Sequence, residues 1–174
     1  LFRTGFGEDA QVADPASLVL FRDHLPLLDH ALTPRHRELK LYDHALELKR
    51  AQERFAQRQG VHLYDETQGA DGPQSYGICH NVVVDELGLP GSVIIGTDSH
   101  TCTAGALGAL AFGVGSTDMA NAFLTRDVRV RVPETVRVEL TGELRPGVCA
   151  KDAMLRLLAS PEQKSGAFNG GVLE

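Results

Sequence analysis

The 174 residues carry a formal net charge of −6, 43% apolar side chains and a mean hydropathy of −0.12. That balance describes one soluble globular domain, residues 1–174, with enough chain to bury a core. No apolar run approaches the roughly 20 residues that span a bilayer, and without a basic block there is no electrostatic footprint for nucleic acid.

The chain opens Leu1, Phe2, Arg3, Thr4. It shows no initiator Met and neither a signal nor a transit pattern, so the natural start is expected upstream. Cys79, Cys102 and Cys149 make an odd count with no Cys-x-x-Cys, which argues for free thiols and a cytoplasmic location over a secreted disulfide framework.

Residues 1–16 mix glycines, acids and a proline without a period and are expected to be irregular. Residues 17–21 read as an apolar strand that delivers Asp23 and His24 to its carboxyl end. The pair is either an imidazole oriented by its carboxylate or a turn before Pro26. Two further Asp-His pairs, at 29–30 and 43–44, follow no strand. Over 37–58, Leu41, Ala45, Leu48 and Phe55 recur at helical spacing among charges, predicting an amphipathic helix that covers a sheet. Gly60 ends it, residues 61–64 resume as a strand, and the Gly-, Asp- and Pro-rich 65–74 reads as loop.

His80 sits in an apolar run, 77–84, where a buried histidine is the plain expectation. A turn at 88–91 feeds a buried strand at 92–95, which stops at Gly96. Thr97, Asp98, Ser99 and His100 follow with nothing but polar chemistry, then a small-residue segment with glycines at 105, 108, 113 and 115 that reads as a helix. Strand, polar loop and helix is how α/β proteins build sites at strand ends. The plainer alternative makes Asp98 and Ser99 helix caps and His100 a surface residue. Ser116, Thr117 and Asp118 can cap a helix through Leu124. Alternation at 129–132 and 135–140 predicts two strands with one wet face. A turn region at 142–147 leads to a helix at 150–159 whose stripe of Ala153, Met154, Leu157 and Leu158 is expected to be buried.

The wording Gly-Thr-Asp-Ser-His-Thr at 96–101, with Gly-Val-Gly-Ser-Thr-Asp at 113–118 and Gly-Ile-Cys-His at 77–80 ahead of both, resembles the aconitase superfamily of iron–sulfur hydro-lyases. Together with Thr-Cys-Thr at 101–103 it is most similar to the large subunits of 3-isopropylmalate dehydratase and homoaconitase. The likeness is strong over about 74–158 and weaker over 18–30 and the last ten residues. It implies a three-layer α/β domain with a mainly parallel sheet, its site residues gathered at carboxyl ends of strands. It further implies dehydration and rehydration of a hydroxy di- or tricarboxylic acid with a [4Fe–4S] cluster. On that reading His24 with Asp23 is the acid toward the leaving hydroxyl, and His80 with Asp98 and His100 with Glu174 are histidine–carboxylate pairs. Ser99 is a hydrogen-bond donor. Glu174 matches the glutamate that ends a glycine-rich stretch in the family, here 166–174.

The family's cluster cysteines, in Ser-Cys-Thr-Asn and Cys-x-x-Cys segments, do not occur in these residues. The expectation is therefore the amino-terminal part of a larger subunit. The remainder, or a small swivelling-domain subunit, would complete its site, with the cluster ligands outside this chain. Two rivals stand beside it. One is a mononuclear metal hydrolase with His24, His80, Asp98 and His100 as ligands; the other is a structural or regulatory piece without turnover.

Overall fold

The structure, a computed structural model, describes residues 2–24, 26–164 and 170–174. The chain divides into two compact units, Leu1–Val128 and Arg129–Glu174. It is an α/β protein in which three of the four strand pairs are parallel. Among the described residues these pairs are separate two-stranded ladders and not one continuous sheet.

In the first unit, α1 (Phe2–Phe6) begins a segment expected to be irregular. It is helical because Phe2 is an anchor: its ring meets Phe55 and Phe123 at centroid distances of 5.7 Å each, and Phe55 meets Phe123 at 5.8 Å. Val12 and Ala120 close this core. Gln59 is buried beside it and spends its amide on backbone, accepting from Val12 N–H at 2.8 Å and donating to Ala10 C=O at 2.9 Å. The Ala10 carbonyl and the Val12 N–H are thereby satisfied without a strand partner.

Strand β1 (Val19–Phe21) pairs in parallel with β2 (His62–Tyr64), with Val19 opposite His62. Parallel neighbours need a long crossover. It is supplied by α2 (Leu28–Ala31), α3 (Pro34–Glu38) and the long α4 (Leu41–Gln59). Gly60, at φ +67°, caps α4 in the left-handed conformation that glycine tolerates, its N–H bonding Ala56 C=O. Ala45 and Ala56 are buried on α4, whereas Leu41 and Leu48 of the expected stripe are half exposed.

Residues 65–74 correct the loop expectation. They form a hairpin, β3 (Thr67–Gly69) against β4 (Gly72–Gln74), closed by Ala70 and Asp71, with Gly72 at φ +118°. Helix α5 (Cys79–Val82) then runs into a π-helical turn, Val83–Leu87. Strand β5 (Val93–Gly96) pairs in parallel with β6 (Leu110–Gly113) across a 3-10 helix, Ser99–Leu107. The small-residue segment read as one helix is thus a 3-10 helix followed by a strand. Helix α6 (Ser116–Thr125) completes the unit.

In the second unit, β7 (Thr135–Val136) pairs in parallel with β8 (Val172–Leu173), and α7 (Ala150–Leu158) and α8 (Pro161–Lys164) lie between them in the chain. Two expectations fail here. Residues 129–132 form no strand, and only two of 135–140 pair; Val132 and Leu140 are largely exposed, so alternation had no sheet face to serve. On α7, Met154 and Leu158 are half exposed and no residue of the helix is buried. Part of the glycine-rich tail, 165–169, lies outside the described residues.

One ion cluster ties the crossover helix to the strand ends. The Arg22 side chain is only 5% exposed; it donates through Nη2 to Glu53 at 3.0 Å and to Lys49 C=O at 3.2 Å, and through Nη1 to Asp65. Gln52 donates to Phe21 C=O at 2.8 Å. Lys49 pairs with Glu66 at 2.8 Å, and Glu66 also accepts from Leu27 N–H at 2.7 Å. The turn that carries Asp23 and His24 is therefore held against α4 from both sides. Arg22→Met is expected to lower stability by about 1.5–3 kcal/mol, the scale of hydrogen bonds to charged groups. Urea unfolding checks this, and a loss below about 0.5 kcal/mol, ordinary for a surface change, refutes it.

Candidate functional site

Two strand ends and one helix deliver the polar side chains. Asp23 and His24 follow β1 directly, and Asp98, Ser99 and His100 follow β5. His80 instead lies in the first turn of α5, so the expectation of a strand end does not hold for it. Residues 79–87 alternate with no strand period, and the run of valines continues as helix.

Asp98 is the common acceptor. Its Oδ1 lies 2.8 Å from His80 Nε2 and 3.2 Å from His100 Nδ1, and it accepts from the His100 backbone N–H at 2.7 Å. His24 Nε2 is 3.7 Å from Asp98 Oδ2. The His80 and His100 rings are 6.1 Å apart. Asp23 is the second hub: Oδ1 meets His24 Nδ1 at 2.7 Å, while Oδ2 accepts from Cys79 N–H at 3.1 Å. Ser99 Oγ reaches His100 Nδ1 at 3.5 Å, the edge of hydrogen bonding. His24 and His100 have exposed side chains, while those of His80 and Asp23 are largely buried.

Two glycines make this geometry possible. A Cβ on Gly113 would stand 2.7 Å from the Asp98 carbonyl oxygen and 3.4 Å from Ser99 Cα, and one on Gly96 would strike the Thr101 side chain. Thr101, buried, returns its hydroxyl to Asp98 C=O at 2.6 Å. The 98–101 turn is thus folded flat over the end of the β5–β6 pair.

The charges follow from these contacts. The backbone N–H of His100 and the His80 imidazole hold the Asp98 carboxyl below its ordinary value. Burial pushes Asp23 up, but hydrogen bonds from Cys79 and His24 outweigh it and the net direction is down. The Asp23 carboxylate raises His24. Burial, and then Asp23, push the Cys79 thiol up to about 12, so it is a protonated donor and not a nucleophile. Each imidazole nitrogen that faces an ionised carboxylate carries its proton there. The opposite nitrogen is left to exchange protons with a bound molecule, which is acid–base machinery.

Six of the seven residues singled out from sequence, Asp23, His24, His80, Asp98, Ser99 and His100, occupy this one region. Glu174 belongs to the second unit, where its backbone N–H bonds Val136 C=O at 3.0 Å. Sequence reasoning missed Cys79 as a partner of Asp23 and Arg22 as the anchor of the turn. The only signal for either was adjacency to a site histidine or to a strand end.

The fold and this carboxylate–histidine cluster define an α/β protein with proton-handling groups beyond its strand ends. Residues 8–174 match the model for the aconitase family (aconitate hydratase), and the chain belongs to that family. It is 42% identical to 3-isopropylmalate dehydratase large subunit 1 of Methanopyrus kandleri, over 84% of this chain and 31% of the relative. It is 37% identical to a probable methanogen homoaconitase large subunit of Methanothermobacter thermautotrophicus, over 97% of this chain and 36% of the relative. The chain spans about a third of the length of such relatives. No described helix is long and apolar enough to cross a membrane.

Two outcomes test the site. By NMR titration His24 is expected to show a midpoint above 6.5 that returns toward that value in Asp23→Asn. A raised imidazole contributes stability that is full below its unfolded value and is lost as pH rises through the folded one. Asp23 and Asp98, both lowered, contribute above the unfolded carboxylate value and lose that contribution as pH falls through the folded one. An unshifted His24 midpoint would remove the pair. Separately, Gly113→Ala is expected to cost about 1–3 kcal/mol by overpacking and to shift the imidazole resonances of His80 and His100. Unchanged resonances would separate Gly113 from the site.

Proposed function

We propose that the chain is the histidine-bearing part of a hydro-lyase large subunit acting on a hydroxy di- or tricarboxylic acid such as isopropylmalate or homocitrate. One observation carries the reading: three imidazoles from three separate chain segments surround two ionised carboxylates. Dehydration breaks a carbon–oxygen bond at one carbon and removes a proton from its neighbour, forming a double bond and water. His24, kept protonated by Asp23, gives its Nε2 proton to the departing hydroxyl. His80 and His100, with Asp98, order the proton-carrying groups around the leaving oxygen, and Ser99 donates a hydrogen bond there. The base that takes the carbon-bound proton comes from outside these residues. Rehydration runs the same steps in reverse.

A [4Fe–4S] cluster, which would supply a Lewis-acid iron to the leaving hydroxyl, does not fit the thiols of this chain. Cys79 is protonated beside Asp23, the Cys102 thiol faces Ser99 C=O at 3.7 Å, and Cys149 heads α7 in the second unit. The reading therefore places the cluster's ligands on other polypeptide. That is the remainder of the large subunit or a small swivelling-domain subunit, both working in the cytoplasm.

His100→Asn in the complete enzyme is expected to lower turnover by about 100-fold or more, the scale of acid–base catalysis. Its melting temperature should hold, because the side chain is 79% exposed. Steady-state dehydration kinetics beside a thermal melt decide it. Full activity, or a loss explained by unfolding alone, refutes the role.

A further inference from the structure

The same side chains have a second chemical capacity. His80, Asp98 and His100 each offer one ligand atom, and all three atoms lie within 4.8 Å of one another. Neutral imidazole and carboxylate are the donors that zinc-type ions take in tetrahedral sites, at about 2.0–2.2 Å. A tetrahedron with that arm places its donors about 3.4 Å apart. The separations from Asp98 oxygens are 2.8 Å to His80, 3.2 Å to His100 and 3.7 Å to His24, which bracket that value.

The surroundings favour it as well. The Nδ1 of His24 is already engaged by Asp23 at 2.7 Å, which fixes the tautomer and presents Nε2, the arrangement common behind metal-bound histidines. The side chains of His24 and His100 are 74% and 79% exposed, so an ion from solvent arrives without opening the fold. We propose that His80, Asp98 and His100 form a binding site for a divalent transition ion of the zinc type, with the fourth position toward His24, which Asp23 orients. The site holds no thiolate and is distinct from an iron–sulfur centre. If the hydro-lyase reading holds, an ion bound beside His24 Nε2 displaces the proton that nitrogen gives to the departing hydroxyl, so occupancy inhibits turnover.

The test titrates the chain with Co2+ alone and follows the visible absorption of tetrahedral cobalt, then displaces it with Zn2+. One ion per chain is expected. Affinity should fall by about 10–100-fold in Asp23→Asn, the effect of losing a supporting carboxylate, and by more than that in His80→Gln and His100→Gln. His44→Gln, an exposed histidine on α4, should bind as before, and circular dichroism reports folding throughout. Should His80→Gln fail to fold, His100→Gln decides, since its side chain faces solvent. Absence of a tetrahedral band, a band that survives His100→Gln, or a band lost in Cys79→Ser with Cys102→Ser overturns the proposal. Binding is read without substrate, so its failure leaves the kinetics of His100→Asn unaffected, and the reverse.

Discussion

A carboxylate that accepts three hydrogen bonds at one oxygen needs all three donors brought to it, and Asp98 obtains them from opposite directions. One comes from the backbone two residues on, one from the neighbouring imidazole, and one from His80 on another helix. Together these bonds to an ionised group define the turn. The turn in turn depends on the absence of side chains at Gly96 and Gly113. Parallel pairing of β5 with β6 supplies the floor. Remove any of these, and the charge at Asp98 loses its compensation.

Much of this was legible because it is local. Isoleucines 94 and 95 announce β5, the 3.6-residue period announces α4, and the polar run 97–100 lies where a strand must end. What escaped reading is non-local or masked by composition. Strand β6 is written in Leu, Ala, Phe and Gly inside a glycine-rich stretch, and only its pairing with β5 makes it a strand. The β3–β4 hairpin hides among turn formers for the same reason. In the second unit the pattern promised more than the fold delivered, since alternation predicts a strand only where another strand lies beside it.

The site divides along the same line. Residues adjacent in sequence, such as Asp23 with His24, can be paired on paper. The bond from Cys79 N–H to Asp23, and the grip of Glu53 and Asp65 on Arg22, join positions that nothing in the local sequence links. Such contacts appear only once the crossover helix has returned the chain to β2.

Asp23 divides its two oxygens between different segments, one serving His24 and the other the first turn of the helix that bears His80. Neither histidine therefore has an energetic account of its own. A substitution at either position disturbs the ligand of the other, and a double-mutant cycle across the two will return a coupling term instead of a sum. The two imidazoles thus answer to one anchor, and a displacement of Asp23 moves both at once.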